Sequence, residues 1–93
     1  MIIKKEMALT RKMFLKSLPR ALDCEDFEVS GDVFIREDNG RKFKITFVEQ
    51  ALVKLGGFSI PRADVTLELT GYKDQEAYVA IERFQRYFHR GGG

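Results

Sequence analysis

The stretch KDQEAYVAIERFQRYFHR, residues 73–90, decides how this chain folds. Its apolar side chains recur at helical spacing and share one stripe: Ala77, Ala80, Ile81, Phe84 and Phe88. The opposite side is polar and holds Gln75, Glu82, Arg83, Arg86 and Arg90. This pattern predicts one amphipathic helix of about five turns. Its apolar stripe must be covered, and the strands that precede it are the candidate cover.

Before this helix, apolar and polar residues alternate, which is the period of a half-buried strand. The clearest alternation covers residues 63–69, and a second covers 41–49, where Phe43, Ile45 and Phe47 share a side. Asn39-Gly40 separates the second strand from one at 33–37 and predicts a two-residue hairpin turn. A short strand at 27–29 and another near 52–55 complete the set. Gly56-Gly57 interrupts the latter and indicates a bulge, a bend or a close backbone approach.

The N-terminal part of the chain predicts a second helix. Thr10 is a suitable N-cap, and an apolar face begins at Phe14. Pro19 disfavours helical geometry at the preceding residue, so the regular helix is expected to end near Ser17 or Leu18. Residues 1–9 are expected to form a flexible arm or an extension of this helix, and residues 91–93 a flexible tail.

These elements predict a single domain over residues 1–93, since 93 residues leave no room for a second core. The fold class is α+β. We expect a two-layer sandwich in which an N-terminal and a C-terminal helix pack on one face of a four- to five-stranded antiparallel sheet.

Composition excludes several classes. Hydrophobic residues make up 44% and charged residues 32%, as in soluble globular proteins. No apolar run approaches the length of a membrane span, and the N-terminus lacks a secretory signal, so we expect no membrane partner. The single cysteine, Cys24, cannot form an internal disulfide, which fits the cytoplasm.

No residue pattern in the sequence has the form of a catalytic or metal site. Cys24 lies among acidic residues, and His89 is expected on the polar flank of the last helix. A Cys24–His89 pair would need the fold to bring the two together. The terminal glycines resemble those of ubiquitin-like carriers, but there a strand leads into them, whereas here a helix does. The chain is therefore predicted to be no enzyme and to need no cofactor or metal.

Charge is distributed unevenly along the chain. Residues 1–22 hold six basic groups and one acid, whereas residues 23–72 hold six basic groups and ten acids. This predicts a basic helix layer above an acidic sheet. The candidate surface for an anionic partner lies on the outer faces of the two helices: Lys12, Lys16, Arg20, Arg83, Arg86 and Arg90. The alternative is that these residues are simply the solvated faces of two helices.

Three segments resemble those of a group of small bacterial proteins without an assigned function. They are SLPRAL at 17–22, Gly71-Tyr72, and the C-terminal residues RFQR at 83–86 with RGGG at 90–93. The resemblance implies only that the terminal glycines belong to the native chain.

Three functions remain open. The first is a cytoplasmic non-enzymatic domain that binds another protein or a copy of itself. The second is binding of nucleic acid or another polyanion through the basic helix faces. The third is a small-molecule site between sheet and helices near Gly56-Gly57, with Tyr72, Tyr78 or Tyr87 as polar groups.

Overall fold

A computed structural model describes residues 1–22 and 26–89. Five strands and two helices follow one another along the chain: β1 (Ile2–Met7), α1 (Arg11–Leu22), β2 (Glu28–Ser30), β3 (Val33–Asp38), β4 (Arg41–Leu55), β5 (Phe58–Thr70) and α2 (Asp74–His89). The strands form one sheet in the order β1-β5-β4-β3-β2, and every neighbouring pair is antiparallel.

The turns of the sheet follow from local sequence. Asp38 pairs with Arg41, so Asn39 and Gly40 form the whole connection between β3 and β4. Their φ angles are 51° and 77°, as a two-residue turn with two left-handed positions requires. This confirms the predicted Asn-Gly hairpin.

Both helices pack on the same face of the sheet. The ring of Phe14 in α1 stacks on Phe47 with centroids 4.3 Å apart, and Phe84 in α2 lies 5.9 Å from Phe43. Phe43 and Phe47 are four residues apart on β4 and therefore point to the same side. The predicted α+β two-layer arrangement is confirmed. Phe14 also lies 5.0 Å from Phe88, so one ring joins both helices to the sheet.

The N-terminal segment differs from the prediction. Residues 1–9 were expected as a flexible arm or a helix extension, but Ile2–Met7 forms strand β1 against β5. The amino group of Met1 donates to the carbonyl of Leu69 at 3.0 Å. The reason is that β5 would otherwise leave a row of backbone groups without partners over its most buried part. The predicted tail at 91–93 lies outside the described residues.

Helix α1 also differs, because it continues through Pro19 to Leu22 instead of ending near Leu18. A proline inside a helix costs about 3 kcal/mol. Three buried side chains on this last part offset that cost, since Leu18, Ala21 and Leu22 are at most 2% exposed. Its start is as expected: the Thr10 hydroxyl accepts from the backbone N–H of Met13 at 3.2 Å.

The strand near residues 52–55 is not separate. It continues the strand at 41–49, with a bulge between Gln50 and Val53, to form the 15-residue β4. The merger of these two segments removes one predicted strand, and the addition of β1 brings the total to five.

Candidate interaction site on a projecting hairpin

Strands β4 and β5 extend well beyond their neighbours. β3 pairs with β4 no further than Thr46, and β1 pairs with β5 no earlier than Ala63. The rest of the two strands forms a two-stranded ribbon, and no residue from 48 to 62 is buried. The molecule measures 48 × 25 × 20 Å as a result. We call residues 50–62 the hairpin arm.

The tip of the arm is set by its two glycines. Leu55 pairs with Phe58, so Gly56 and Gly57 form a two-residue turn. Gly56 has a φ of +59° and Gly57 does not have a positive φ, which is the combination of the type II′ hairpin turn, with its preference for glycine at the first position. A bulge, a bend or a close backbone approach was predicted at Gly56-Gly57. The structure has a bend there, in the form of a tight hairpin turn, and a bulge lies a few residues earlier in β4.

One side of the arm is apolar. Val53 lies directly opposite Ile60, and Leu55 lies opposite Phe58. Directly opposed residues point to the same side of an antiparallel ladder, as do residues two apart, so these four share a surface that we call the arm face. Phe58 is 76% exposed, Leu55 58% and Ile60 37%. A cluster of large apolar side chains in contact with water is typical of an interaction surface.

Pro61 protects one edge of the arm. Leu69 donates its N–H to Met1, so the backbone groups of odd-numbered β5 residues point towards the β1 side. By that alternation, an N–H at position 61 would point to the edge of β5 that β1 leaves open, and proline has none. This edge therefore offers few donors to an additional strand.

The opposite edge of the arm is interrupted as well. The bulge between Gln50 and Val53 breaks the regular spacing of β4, and Lys54 places a charge near the tip. Bulges and charged side chains are devices that hinder pairing at strand edges. Neither edge of the arm is therefore well suited to the addition of a further strand.

A concavity of about 420 Å³ lies at the base of the arm, where β1 ends. We call it the base hollow. Its wall includes Met7, Ala8, Val53, Ile60, Pro61 and Arg62. Arg62 is held in place by Glu6, whose carboxylate lies 2.5 Å from its guanidinium. The hydrogen bond and the charge of Glu6 raise the pKa of Arg62 further above its usual value. The guanidinium in the wall of the hollow is in any case always charged.

The predicted anionic-partner surface is only partly formed. On α1, Lys12, Lys16 and Arg20 are exposed as expected. On α2, Arg86 lies 3.4 Å from Glu82, and Arg83 donates to the backbone carbonyl of Arg20 at 3.0 and 3.2 Å. That carbonyl belongs to the last turn of α1, whose acceptors lack intrahelical partners, so Arg83 joins the two helices. Arg90 lies outside the described residues.

The predicted charge polarity between the layers is wrong for the sheet. α1 carries four basic residues and no acid, and α2 carries two basic residues against three acids. The five strands carry eight basic residues against seven acids, so they are not acidic. The prediction failed mainly because it counted acids of the connections, such as Asp26 and Asp32, with the sheet. It also counted Lys4 and Lys5 with the first helix, whereas they belong to β1. Among the described elements, α1 has the largest net positive charge, and β4 follows it with four basic residues against one acid.

The predicted small-molecule site is not assembled. Gly56-Gly57 lies at the arm tip, whereas Tyr72 follows the opposite end of β5. Tyr72 instead borders an open groove of about 570 Å³ beside α2, together with Arg36, Arg41 and Glu76. Burial raises the pKa of the Tyr72 phenol, and the nearby Arg36 and Arg41 partly oppose this. Arg41 lies 3.1 Å from Glu76 and 5.6 Å from the Tyr72 ring centroid, so the groove's charges are largely engaged with one another.

Within residues 1–22 and 26–89, no group of three or more His, Cys, Asp or Glu side chains is placed to hold a metal ion. The Cys24–His89 pair considered above lies outside the side chains that the structure describes. Among the same residues, no helix has the length and apolarity needed to cross a bilayer.

Comparison with known proteins identifies no relative: no protein-family model, no curated protein and no solved structure matches this chain significantly. The function must therefore be argued from the molecule itself. The arm face is the largest feature that sequence reasoning missed. The sequence feature that could have revealed it is the group of apolar residues on both sides of Gly56-Gly57. A half-buried hairpin has the same feature, and the two cases differ only in where the neighbouring strands lie.

Proposed function

We propose that this protein is a non-enzymatic cytoplasmic binding domain that associates with another protein, or with a copy of itself, through the arm face. The observation that supports this most is the 76% exposure of Phe58 at the end of a projecting ribbon. The single cysteine of the chain supports a reducing compartment.

Energetics favour a covered arm. Burying a Phe or Leu side chain contributes about 1.5–3 kcal/mol relative to leaving it in water. An isolated two-stranded hairpin is marginally stable, because it has no third strand or helix to pack against. The arm is such a hairpin, because β1 ends at Met7 and the pairing of β3 with β4 ends at Thr46, so no third strand lies beside it. A partner that covers the arm face would supply the missing packing.

A photo-reactive phenylalanine analogue tests this proposal. It replaces Phe58 in one variant and Tyr78 in another, in cells that contain the protein at native abundance. Tyr78 is the matched control, since it is an aromatic residue 63% exposed on α2. We expect a discrete covalent adduct from position 58 and none from position 78. Equal labelling at both positions, or none at position 58, would contradict the proposal.

Polyanion binding is a second candidate, supported by α1 alone. Its four basic residues have no acidic neighbour within the helix, and Lys12, Lys16 and Arg20 are exposed. Binding to RNA or DNA should weaken steeply with salt, because each neutralised phosphate releases counterions. Lys16→Glu should abolish the binding. Since Arg86 is paired with Glu82, Arg86→Glu should have the smaller effect. If no complex forms at low ionic strength, this candidate is excluded.

A further inference from the structure

We propose that the partner of the arm is a second copy of this chain, bound about a two-fold axis so that each Phe58 occupies the other copy's base hollow. This inference rests on the proposed function and specifies its partner.

The arm contains both halves of such a contact. Phe58 protrudes at the tip, and the base hollow lies at the other end of the same ribbon. The hollow is an open concavity of about 420 Å³, and since an enclosed cavity of about 150 Å³ holds benzene, the hollow has enough volume for a phenyl ring. Arg62 at the rim can lie against the face of the incoming ring as a cation–π partner.

The spacing suits a reciprocal arrangement. Four residues separate Phe58 from Arg62, which is roughly 13 Å along an extended strand. A two-fold axis near the middle of the arm places the two arms antiparallel, so that the tip of each arm lies beside the base of the other. Each tip then reaches the opposite hollow, and the two contacts are identical, as in any isologous interface.

The area matches a reversible dimer. If a fully exposed large apolar side chain presents roughly 200 Å², then Phe58, Leu55 and Ile60 present about 340 Å² per arm at their observed exposures. Two arms would bury at most about 680 Å² of apolar surface, which implies a total interface of at most about 1,100 Å² at the usual apolar share of about 60%. Specific interfaces begin near 1,200 Å², so the dimer should be weak and dependent on concentration.

The edges of the arm point to the same mode of contact. Pro61 and the β4 bulge hinder a continuous ladder between copies, whereas the arm face and the hollow remain accessible. Packing of side chains, rather than strand addition, is therefore the expected interaction.

Sedimentation of the purified full chain over a range of concentrations tests the proposal. We expect reversible formation of a dimer of the 10.7 kDa chain. Phe58→Ser removes the inserted ring, and Ala8→Arg fills the hollow. Each should weaken the dimer at least about tenfold, because the first removes the buried ring from both contacts and the second displaces it from both hollows. Val79→Ser is the control, since Val79 is 63% exposed on α2 and far along the chain from the arm.

Mixing the two variants distinguishes this geometry from nonspecific apolar association. The Phe58→Ser copy keeps its hollow, and the Ala8→Arg copy keeps its phenyl ring. A mixed dimer therefore retains one of the two contacts, whereas each variant alone retains none. We expect the equimolar mixture to dimerise more strongly than either variant by itself. No recovery on mixing would overturn the proposed arrangement.

The outcome separates this inference from the broader proposal. If the purified chain stays monomeric at every concentration while position 58 forms an adduct with a different protein in cells, the second copy is excluded and the binding function stands. If position 58 forms no adduct and the chain stays monomeric, both are overturned.

Discussion

Gly71 is the position at which the structure makes its sharpest prediction about stability. It lies between β5 and α2 with a φ of +79°, and it packs against the turn between β3 and β4. A Cβ atom at this position would overlap the carbonyl oxygen of Gly40 and lie 3.3 Å from the Cα of Arg41. Gly71→Ala therefore has two costs: alanine must adopt a left-handed backbone conformation, and its Cβ collides with the backbone of the turn between β3 and β4.

The two costs can be estimated separately. An alanine in a left-handed conformation costs about 1–2 kcal/mol, and forcing a packed backbone to shift costs about 1–3 kcal/mol. We expect a total near 3 kcal/mol, against a stability of about 5–14 kcal/mol for a domain of this length. The melting temperature should fall by roughly 12–24 °C.

Circular dichroism during urea denaturation measures this loss, since the chain has no tryptophan to serve as a fluorescent probe. Two control variants separate the terms. Gly31 has a φ of +59°, and a Cβ added there would have no atom within 4 Å, so Gly31→Ala measures only the cost of the left-handed backbone. Gly57→Ala has neither a positive φ nor a close neighbour. If Gly71→Ala were no more destabilising than Gly31→Ala, the contact between the two turns would be refuted.

Three further predictions follow from the core, the groove and the arm. Phe14→Ala should destabilise the protein by about 3–5 kcal/mol, measured by the same denaturation, because Phe14 is fully buried and joins both helices to the sheet; a loss under about 1 kcal/mol would contradict that role. Because burial raises the pKa of Tyr72 above 10.0, the unfolded chain loses the phenol proton first, so stability should fall as pH rises from about 10 towards the folded pKa. Tyr72→Phe should flatten this fall in melting temperature, with exposed Tyr78→Phe as the control; an unchanged slope would exclude Tyr72 as its source. Pro61→Val should restore an N–H at the open edge of β5 and promote association between strands, seen as rising light scattering with concentration; unchanged scattering would argue against that orientation.

The sequence predicted most of the body because its signals are local. Residues 63–69 alternate at the period of a strand, residues 74–89 repeat at that of a helix, and Asn39-Gly40 specifies its own turn. Each of these patterns depends on residues within a few positions of one another. The fold class followed, since two apolar helix stripes and one apolar sheet face leave few ways to be buried.

The errors concern features whose energy comes from distant residues. Ile2–Met7 has a weak pattern of its own and becomes a strand because β5 offers an edge more than fifty residues away. Helix α1 continues through Pro19 because Leu18 and Leu22 are buried against the core. Charge polarity was misjudged because the acids of the connections, such as Asp26 and Asp32, and the basic residues Lys4 and Lys5 could be assigned to a layer only after the strands were placed.

The candidate site shows the same division. The sequence by itself determined that residues 52–60 are apolar around two glycines, which was enough to predict a strand and a break. Only the tertiary structure decided that this apolar segment would stay in contact with water. Whether a strand is covered depends on where its neighbours end, and here β1 and β3 end before the arm begins. Exposure is a property of the assembled sheet, because it is set by contacts between segments that are far apart in the chain.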